Sequence, residues 1–231
     1  AGGQGAVRAK GGPGDPGERM TRETLVETAA TALRELRFAV RDLETTGGSP
    51  KARWGKDGRF IQPSEITEVG MVRLAGPVVE DRWSSLASIQ GFLPEEIQRL
   101  TGISLPMLAG APPWEQVALK LAPKLEGRVW VAHHAPYDGS FLKAWLPEGI
   151  WRRHRLICTR LLAKKLIPEL PRRSLAELCE FLGITNTRAH RALQDAEATA
   201  EVLQHLMQRA EDRGMDGEAF LAAGEVSWTK V

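Results

Sequence analysis

The chain has 231 residues, of which 42% are hydrophobic and 26% are charged, and its formal net charge is +2. This balance is typical of a globular protein and excludes a disordered or strongly basic chain. Every apolar run is shorter than the roughly 18 to 20 residues that a membrane span requires, and no signal-peptide pattern opens the sequence. Cys158 and Cys179 lack CxxC spacing. We therefore expect a cytoplasmic protein in a reducing compartment, without a membrane partner.

The composition changes along the chain and divides it into three parts. Residues 1–20 are rich in Gly and Pro, which predicts a disordered or cloning-derived N-terminal tail. Apolar residues between Leu25 and Leu36 lie at helical spacing, so we expect a folded domain over residues 21–210 that begins with a helix. Residues 211–231 are expected to form a short C-terminal tail.

The domain begins with strands and continues with helices and strands in alternation. Three β-rich segments succeed one another and predict an antiparallel meander: RFAVRDLE, ITEVGMVRL and DRWSSLASI. They are followed by a helix over PWEQVALKLAPKL, a strand over RVWVA and a short helix over GSFLKAWL. Ser174 and Glu177 form a capping box for a helix that ends at Gly183, and the last long helix is expected from about Arg191 to Ala210. This order predicts a mixed sheet with helices packed on it.

The first predicted strand ends in two carboxylates that lie close together. Because strand side chains alternate between faces, Asp42 and Glu44 point to the same side as the apolar residue Val40. Like charges at this distance destabilise one another unless a positive group lies between them. The stretch therefore predicts a bound cation or a basic side chain at the end of the strand.

Two further acids are predicted to face the core. Asp195 shares a helical face with Ala198 and Val202, and an acid on that face is costly unless it is paired or bound to a cation. Asp138 follows a buried strand at a strand-to-helix junction, where functional side chains commonly lie. Taken singly, Asp195 could form an ordinary ion pair and Asp138 could cap a helix.

Taken together, the four acids predict a site for divalent cations. Hard carboxylate ligands suit Mg²⁺ or Mn²⁺. A dense cluster can hold two such ions about 3.5 to 4 Å apart, an arrangement that serves in-line phosphoryl displacement. A general base must then reach the attacking water, and His190, just ahead of the last helix, could do so.

Three motifs carry a resemblance to a known family. They are DLETTG at residues 42–47, VAHHAPYDGSFL at residues 131–142 and HRALQDAEATAEVL at residues 190–203. Their order and spacing make the combined signal far more specific than any one motif. From about Phe38 to Met207, the chain resembles the DnaQ-like exonucleases, the DEDD superfamily with a catalytic histidine, and most of all the proofreading epsilon subunits of bacterial DNA polymerase III.

The resemblance implies a ribonuclease-H-like α/β fold, in which helices flank a five-stranded mixed sheet. It also implies a 3′→5′ exonuclease that releases 5′-monophosphates from DNA 3′ ends, in proofreading or repair. By the same resemblance, His190 is the general base and two divalent cations, Mg²⁺ or Mn²⁺, are bound by the four acids. The implied metal ligands are Asp42, Glu44, Asp138 and Asp195.

Four further positions match family residues that lie close to the terminal nucleotide. They are Leu43, Thr45, His133 and Phe141. For Leu43 and Phe141, packing in the core is the alternative. The family usually has Asn after the first His of the second motif, whereas this chain has His134. The substrate contact at this position is therefore expected to differ from that of the family.

The connection over residues 48–64 is longer than the family usually has. It interleaves basic residues with Trp54 and Phe60, a combination that binds single strands through phosphates and stacked bases. We predict that Trp54 contacts the substrate and that this loop grips or gates the 3′ end, with a mobile surface insertion as the alternative. A second basic segment, residues 151–173, could form a phosphate track or a solvated helix face.

Two other functions fit the same residues. An exoribonuclease could use the same ligands, because nothing in the sequence reveals a contact to a ribose 2′-hydroxyl. A non-catalytic nucleic-acid-binding or polymerase-associated subunit could keep the fold, but we would expect it to have lost a metal ligand. The expected partners are single-stranded or frayed DNA 3′ ends and a DNA polymerase subunit.

Overall fold

The computed structural model describes residues 32–147, 149–187 and 189–231. The predicted N-terminal tail and most of the predicted first helix lie outside these residues. A 3₁₀ turn at Leu33–Glu35 is the first described element. Within the described ranges, no helix is both long enough and apolar enough to cross a membrane.

A five-stranded mixed sheet lies at the centre of the described part. Numbered in chain order, the strands are β1 Arg37–Thr45, β2 Arg53–Trp54, β3 Phe60–Ile61, β4 Ile66–Ala75, β5 Val78–Leu86, β6 Val129–Ala132 and β7 Leu156–Cys158. The spatial order is β5-β4-β1-β6-β7, and β2 pairs with β3 in a separate hairpin. The strands β1, β4 and β5 form the predicted antiparallel meander, and β6 and β7 continue the sheet in parallel. The predicted five-stranded mixed sheet is confirmed.

Helices cover both faces of this sheet. Their ranges are α1 Glu95–Thr101, α2 Leu105–Ala109, α3 Trp114–Leu125, α4 Ala135–Trp145, α5 Thr159–Leu166, α6 Leu175–Leu182, α7 Ala192–Glu211 and α8 Gly217–Gly224. Successive residues of β1 project to opposite faces. Val40 therefore belongs to the core beneath α5, α6, α7 and α8, while Ala39 belongs to the core beneath α3 and α4.

The first turn of α7 lies very close to the sheet. A Cβ atom added to Gly70 of β4 would lie 2.2 Å from backbone atoms of Ala192 and Leu193. Glycine permits this approach because any side chain would overlap the helix backbone. Gly70 lies opposite Asp42 in the β1–β4 register, so this contact sets the distance between α7 and the end of β1.

Local sequence signals place several helix ends as predicted. The Ser174 side chain accepts a hydrogen bond from the Glu177 amide, and the Glu177 side chain accepts one from the Ser174 amide, so the capping box is present at α6. Gly183 ends α6 with a φ of 71°, the left-handed conformation that favours glycine. The helix α7 also lies close to its predicted range.

Three predicted elements differ from the structure. The helix α4 begins at Ala135, so Asp138 lies in its first turn and does not cap it. The connection over residues 48–64, predicted as a loop, contains the β2–β3 hairpin. Residues 211–231, predicted as a tail, include α8, whose Phe220 is fully buried in the core beneath α7. Burial of this aromatic side chain stabilises the segment against the domain.

Candidate active site

The end of β1 carries two of the predicted acids on the face covered by α7. Burial, followed by the charges of Asp195, Glu68 and Asp138, raises the pKa of Glu44 to about 8. Burial and the neighbouring carboxylates also raise the pKa of Asp42 well above its usual range. Both acids therefore favour binding of a proton or a cation.

Asp138 approaches the same point from the first turn of α4. Its side chain is buried, and its Oδ1 atom has no hydrogen-bond partner in the described part of the chain. Burial raises the pKa of Asp138 to about 7, although the Arg41 charge and the backbone amides of Asp138 and Leu43 act in the opposite direction. A buried carboxylate oxygen without a donor is costly unless a ligand completes its bonding.

Asp195 approaches from the first turn of α7 and is held by two donors. The Asn186 side-chain amide donates to its Oδ1 atom at 2.6 Å, and the His190 backbone N–H donates to its Oδ2 atom at 2.9 Å. These bonds fix the orientation of the carboxylate toward β1. Asn186 belongs to none of the three motifs, and its signal in the sequence is its place in the loop before the third motif.

His190 lies beside the acids with an exposed side chain. Its φ is 67°, a conformation that is costly for a residue with a side chain and that often occurs at functional positions. One ring nitrogen of His190 and one carboxylate oxygen each of Glu44 and Asp195 lie within 4.8 Å of one another. The strained backbone thus places the imidazole next to the carboxylates.

The structure brings together all five residues that were predicted for catalysis and metal binding. Their donor set is rich in hard oxygen atoms and includes the unpartnered Oδ1 atom of Asp138. The mutual repulsion of the carboxylates would be relieved by positive charge. These residues therefore fit a site for divalent cations such as Mg²⁺ or Mn²⁺. The five residues, called the carboxylate cluster below, are Asp42, Glu44, Asp138, His190 and Asp195.

A further acid beside the cluster fixes the position of α7. Glu68 lies opposite Glu44 in the β1–β4 register. Its carboxylate accepts hydrogen bonds from the Arg191 guanidinium at 2.7 and 3.0 Å and from the Ala192 amide at 3.0 Å. Glu68 thus provides a hydrogen-bond acceptor for an amide at the N-terminus of the helix that carries Asp195. This role was not predicted from the sequence, although an acid within the apolar segment ITEVGMVRL was an available signal.

Arg41 is a second residue that sequence analysis missed. It is fully buried, and its guanidinium carbon lies 4.8 Å from the centre of the Trp130 ring. Its side-chain nitrogens have no hydrogen-bond partner among the described residues. Burial lowers the pKa of Arg41 to about 10, while the Asp138 charge acts in the opposite direction. The guanidinium therefore keeps its positive charge near the acids at neutral pH. Its signal was a basic residue inside an apolar strand.

Leu43 and Thr45, the two residues at the end of β1 that were predicted to contact the nucleotide, contact other parts of the protein. The Thr45 hydroxyl lies 2.7 Å from the Gly47 carbonyl oxygen and 2.6 Å from the Tyr137 hydroxyl. Leu43 is buried in the core beneath α3 and α4. Tyr137 was missed by sequence analysis, although it directly precedes Asp138, and its hydroxyl also donates to the Gly47 carbonyl at 3.1 Å.

Phe141 takes the second of its two predicted roles in this structure, packing in the core. Its side chain is fully buried, so no face of the ring is available for stacking on a nucleotide. His133 is also buried, with Nδ1 2.9 Å from the Thr159 hydroxyl and Nε2 3.0 Å from the Arg173 carbonyl oxygen. Burial lowers the pKa of His133 to about 4. This neutral ring connects β6 to α5 and to the segment before α6, and neither of its nitrogens is free for a substrate.

The predicted basic segment divides into a neutralised part and an open part. Arg155 pairs with Glu218 and Glu225 at 2.8 and 2.7 Å, respectively. In contrast, a cavity of about 600 Å³ at the N-terminus of α4 is lined by His134, Arg160, Lys164 and other basic residues. Trp54, predicted to contact the substrate, lies on the β2–β3 hairpin and is 72% exposed.

Comparisons with known sequences agree with this geometry. Residues 39–203 match the family described as exonuclease, RNase T. A Mycobacterium tuberculosis protein named as a bifunctional exonuclease/endonuclease is 36% identical over 194 residues, which cover 82% of this chain and 29% of that protein. The DNA polymerase III subunit epsilon of Aquifex aeolicus is 32% identical over 173 residues, which cover 74% of this chain and 80% of that protein. The chain thus spans less than a third of the first relative and most of the second.

A solved structure shows the same fold. Exonuclease X, in complex with 5′-overhanging duplex DNA, matches with a TM-score of 0.60 and 23% identity, covering 81% of this chain and 98% of that one. The fold is therefore that of the ribonuclease-H-like exonucleases. The family match over residues 39–203 and the similarity to the epsilon subunit together show that this chain belongs to the DnaQ-like exonuclease family.

Proposed function

We propose that this chain is a 3′→5′ exonuclease that hydrolyses DNA from its 3′ ends and releases 5′-monophosphates. The observation that carries this proposal is the convergence of three separate motifs on one point. The acids of β1, α4 and α7 lie close enough to raise the pKa of Asp42 through their charges. His190 lies within 4.8 Å of two of them. A cluster of this composition suits phosphodiester hydrolysis.

The four carboxylates would hold two divalent cations, Mg²⁺ or Mn²⁺. Bound cations would supply charge neutralisation at the scissile phosphate and activation of the attacking water. The protein contributes a fixed set of oxygen ligands, since Asn186 orients Asp195 and α4 presents the unpartnered oxygen of Asp138. Preorganisation of this kind lowers the barrier because little reorganisation is needed during the reaction.

His190 is the proposed general base. Its exposed ring accepts a proton from the attacking water, and the water oxygen forms a bond to the phosphorus of the terminal nucleotide. The bond from phosphorus to the 3′ oxygen of the preceding nucleotide breaks in line, and that oxygen takes a proton from solvent. The products are a nucleoside 5′-monophosphate and a strand that is shorter by one nucleotide and ends in a 3′-hydroxyl.

DNA is the proposed substrate, with a DNA polymerase subunit as a candidate partner in proofreading or repair. Support comes from the epsilon subunit relative, whose name places it in DNA polymerase III. The basic cavity beside α4 supports a polyanionic substrate, because Arg160 and Lys164 line it. Co-purification with a polymerase subunit, weakened by high salt, would be the direct test of the partner.

The first experiment compares labelled single-stranded DNA and RNA of one sequence with Mg²⁺, Mn²⁺ or EDTA. We expect stepwise shortening of the DNA from its 3′ end, which stops with EDTA and in Asp42→Asn. Asp212→Asn is the matched control, because Asp212 is exposed at the C-terminal end of α7 and should leave the rate unchanged. Cleavage of RNA alone would contradict the DNA assignment. Tight binding without cleavage in either metal would contradict the exonuclease itself.

A further inference from the structure

A group of hydroxyls lies between the two elements that carry Glu44 and Asp138. Thr45 is the last residue of β1 and follows Glu44, and Tyr137 precedes Asp138 in the first turn of α4. The hydroxyl oxygens of Thr45 and Tyr137 lie 2.6 Å apart. The Gly47 carbonyl oxygen accepts from this pair, at 2.7 Å from the Thr45 hydroxyl and 3.1 Å from the Tyr137 hydroxyl. The three residues Thr45, Gly47 and Tyr137 are called the hydroxyl bridge below.

Regular pairing in the sheet does not extend to this point. The parallel pairing of β1 with β6 ends at Val40 and Val131. On the other side of β1, the antiparallel pairing with β4 changes register between Glu44 and Thr45. The ladders therefore do not fix the distance from the end of β1 to α4, the helix that follows β6.

The hydroxyl bridge spans this distance. The bond between Thr45 and Tyr137 is the side-chain hydrogen bond that joins β1 to α4 in the described part of the chain. Thr45 is buried, and the Tyr137 ring packs against the fully buried Phe141 with ring centres 5.1 Å apart. Hydrogen bonds between groups shielded from water are stronger than exposed ones. The bridge therefore fixes the spacing of the two neighbouring acids, Glu44 and Asp138.

The spacing of oxygen ligands matters more to some cations than to others. Mg²⁺ requires nearly ideal octahedral geometry with ligands at about 2.0–2.1 Å, whereas Ca²⁺ accepts a flexible arrangement at about 2.3–2.6 Å. A set of carboxylates that is held at a fixed spacing can therefore favour the smaller ion. A set that is free to widen loses this preference.

We propose that the hydroxyl bridge holds Glu44 and Asp138 at the spacing that Mg²⁺ requires, so that Tyr137 determines the metal selectivity of the carboxylate cluster. Tyr137 is a positioning residue, because its hydroxyl bonds to Thr45 and Gly47 and, among the described residues, to no carboxylate. This inference rests on the proposed function, since it assumes that the cluster binds divalent cations.

Isothermal titration calorimetry on the metal-free full chain, with Mg²⁺ and Ca²⁺ as probes, tests the inference without substrate. Tyr137→Phe should weaken Mg²⁺ binding on the order of tenfold and Ca²⁺ binding by less than about twofold. Thr45→Val should act in the same direction. The double variant should lose little more affinity than either single variant, because both substitutions break the same bond.

Thr101→Val is the matched control for removal of a hydroxyl. Thr101 is also buried, and its hydroxyl donates to the Ile97 carbonyl at 2.8 Å within α1. This variant should leave both metal affinities unchanged.

The outcomes separate positioning of the acids from support of the fold. Equal losses for the two ions in Tyr137→Phe, or no loss for Mg²⁺, would overturn the inference. A lower free energy of unfolding with an unchanged ratio of the two affinities would reduce Tyr137 to a structural role and would also overturn it. Cleavage of DNA by the unmodified chain decides the proposed function separately. A chain that shows the expected change in selectivity but cleaves no DNA would refute that function and support the inference.

Discussion

Glu44 and Glu68 face each other in the β1–β4 register, and the structure gives them opposite surroundings. Glu68 accepts hydrogen bonds from Arg191 and Ala192 and fixes the start of α7. Glu44 lies among other acids, and burial together with those charges raises its pKa to about 8. Two neighbouring residues of one type thus belong to two different regions, a balanced ion pair and an unbalanced carboxylate cluster.

The difference teaches how this fold separates structure from chemistry. A carboxylate whose charge is balanced by the protein stabilises the fold, whereas one whose charge is unbalanced is available to a ligand. The two regions are linked, because Glu68 fixes the helix that carries Asp195. The ion pair of Glu68 with Arg191 therefore holds the carboxylate cluster in place.

Glu44→Gln should cause the largest change, a loss of about 10³-fold in the cleavage rate, because a metal ligand contributes several kcal/mol to catalysis. The same change should raise the thermal midpoint of the protein in EDTA, because it removes a repelled charge. Single-turnover assays and thermal unfolding in EDTA measure the two effects. A variant that keeps its rate would remove Glu44 from the cluster's chemistry.

Glu68→Gln should destabilise the protein, whereas Glu44→Gln should stabilise it in EDTA. The free energy of unfolding should fall by about 1–3 kcal/mol, because Arg191 and the α7 amide lose their charged acceptor. Urea unfolding with saturating Mg²⁺ measures it. Glu95→Gln is the matched control, because its pair with Arg99 is exposed and should contribute less than about 0.5 kcal/mol. Equal effects of the two substitutions would mean that Glu68 is not a structural residue.

Gly70→Ala tests the contact that joins the two regions. The added Cβ would lie 2.2 Å from the backbone of Ala192, so α7 must move away from β4, at a cost of about 1–3 kcal/mol. The cleavage rate should fall with the stability, because Asp195 moves with the helix. Gly48→Ala is the control for stability, because nothing lies within 4 Å of a Cβ there. If Gly70→Ala and Gly48→Ala have the same free energy of unfolding, the close approach of α7 to β4 is not needed.

The dependence of stability on pH should come mainly from the unbalanced region, whose raised carboxyl pKa values outweigh the opposing effect of His133, whose pKa is lowered to about 4 by burial. The folded-state pKa values of Glu44, about 8, and Asp138, about 7, lie above their unfolded values, so the folded protein binds more protons between pH about 5 and about 8. Its stability in EDTA should be greatest at the acidic end of that window and should fall as pH rises through it.

Urea unfolding in EDTA across that window checks the sign. Glu44→Gln should flatten the curve, since one of the two groups is removed, and Mg²⁺ should flatten it as well by replacing the bound protons. Stability that rises with pH in EDTA would contradict the raised pKa values.

Much of the fold could be predicted because its signals are local. The β-rich composition of two short segments identifies β1 and β4, and Ser174, Glu177 and Gly183 mark the ends of α6 through bonds within a few residues. The strand β7 was not predicted, because its three residues form too short a run to show a period. The packing of α8 also escaped prediction, since it depends on a surface supplied by distant residues.

The sequence by itself determined which family this chain resembles and which five residues could form the cluster, because motif order and residue type are properties of the chain. Only the tertiary structure decided which acids are balanced and which are not. That outcome depends on partners far apart in sequence, such as Arg191 beside Glu68 and Arg41 near Asp138. It likewise decided that Phe141 lies in the core, because burial is set by neighbours and not by the motif.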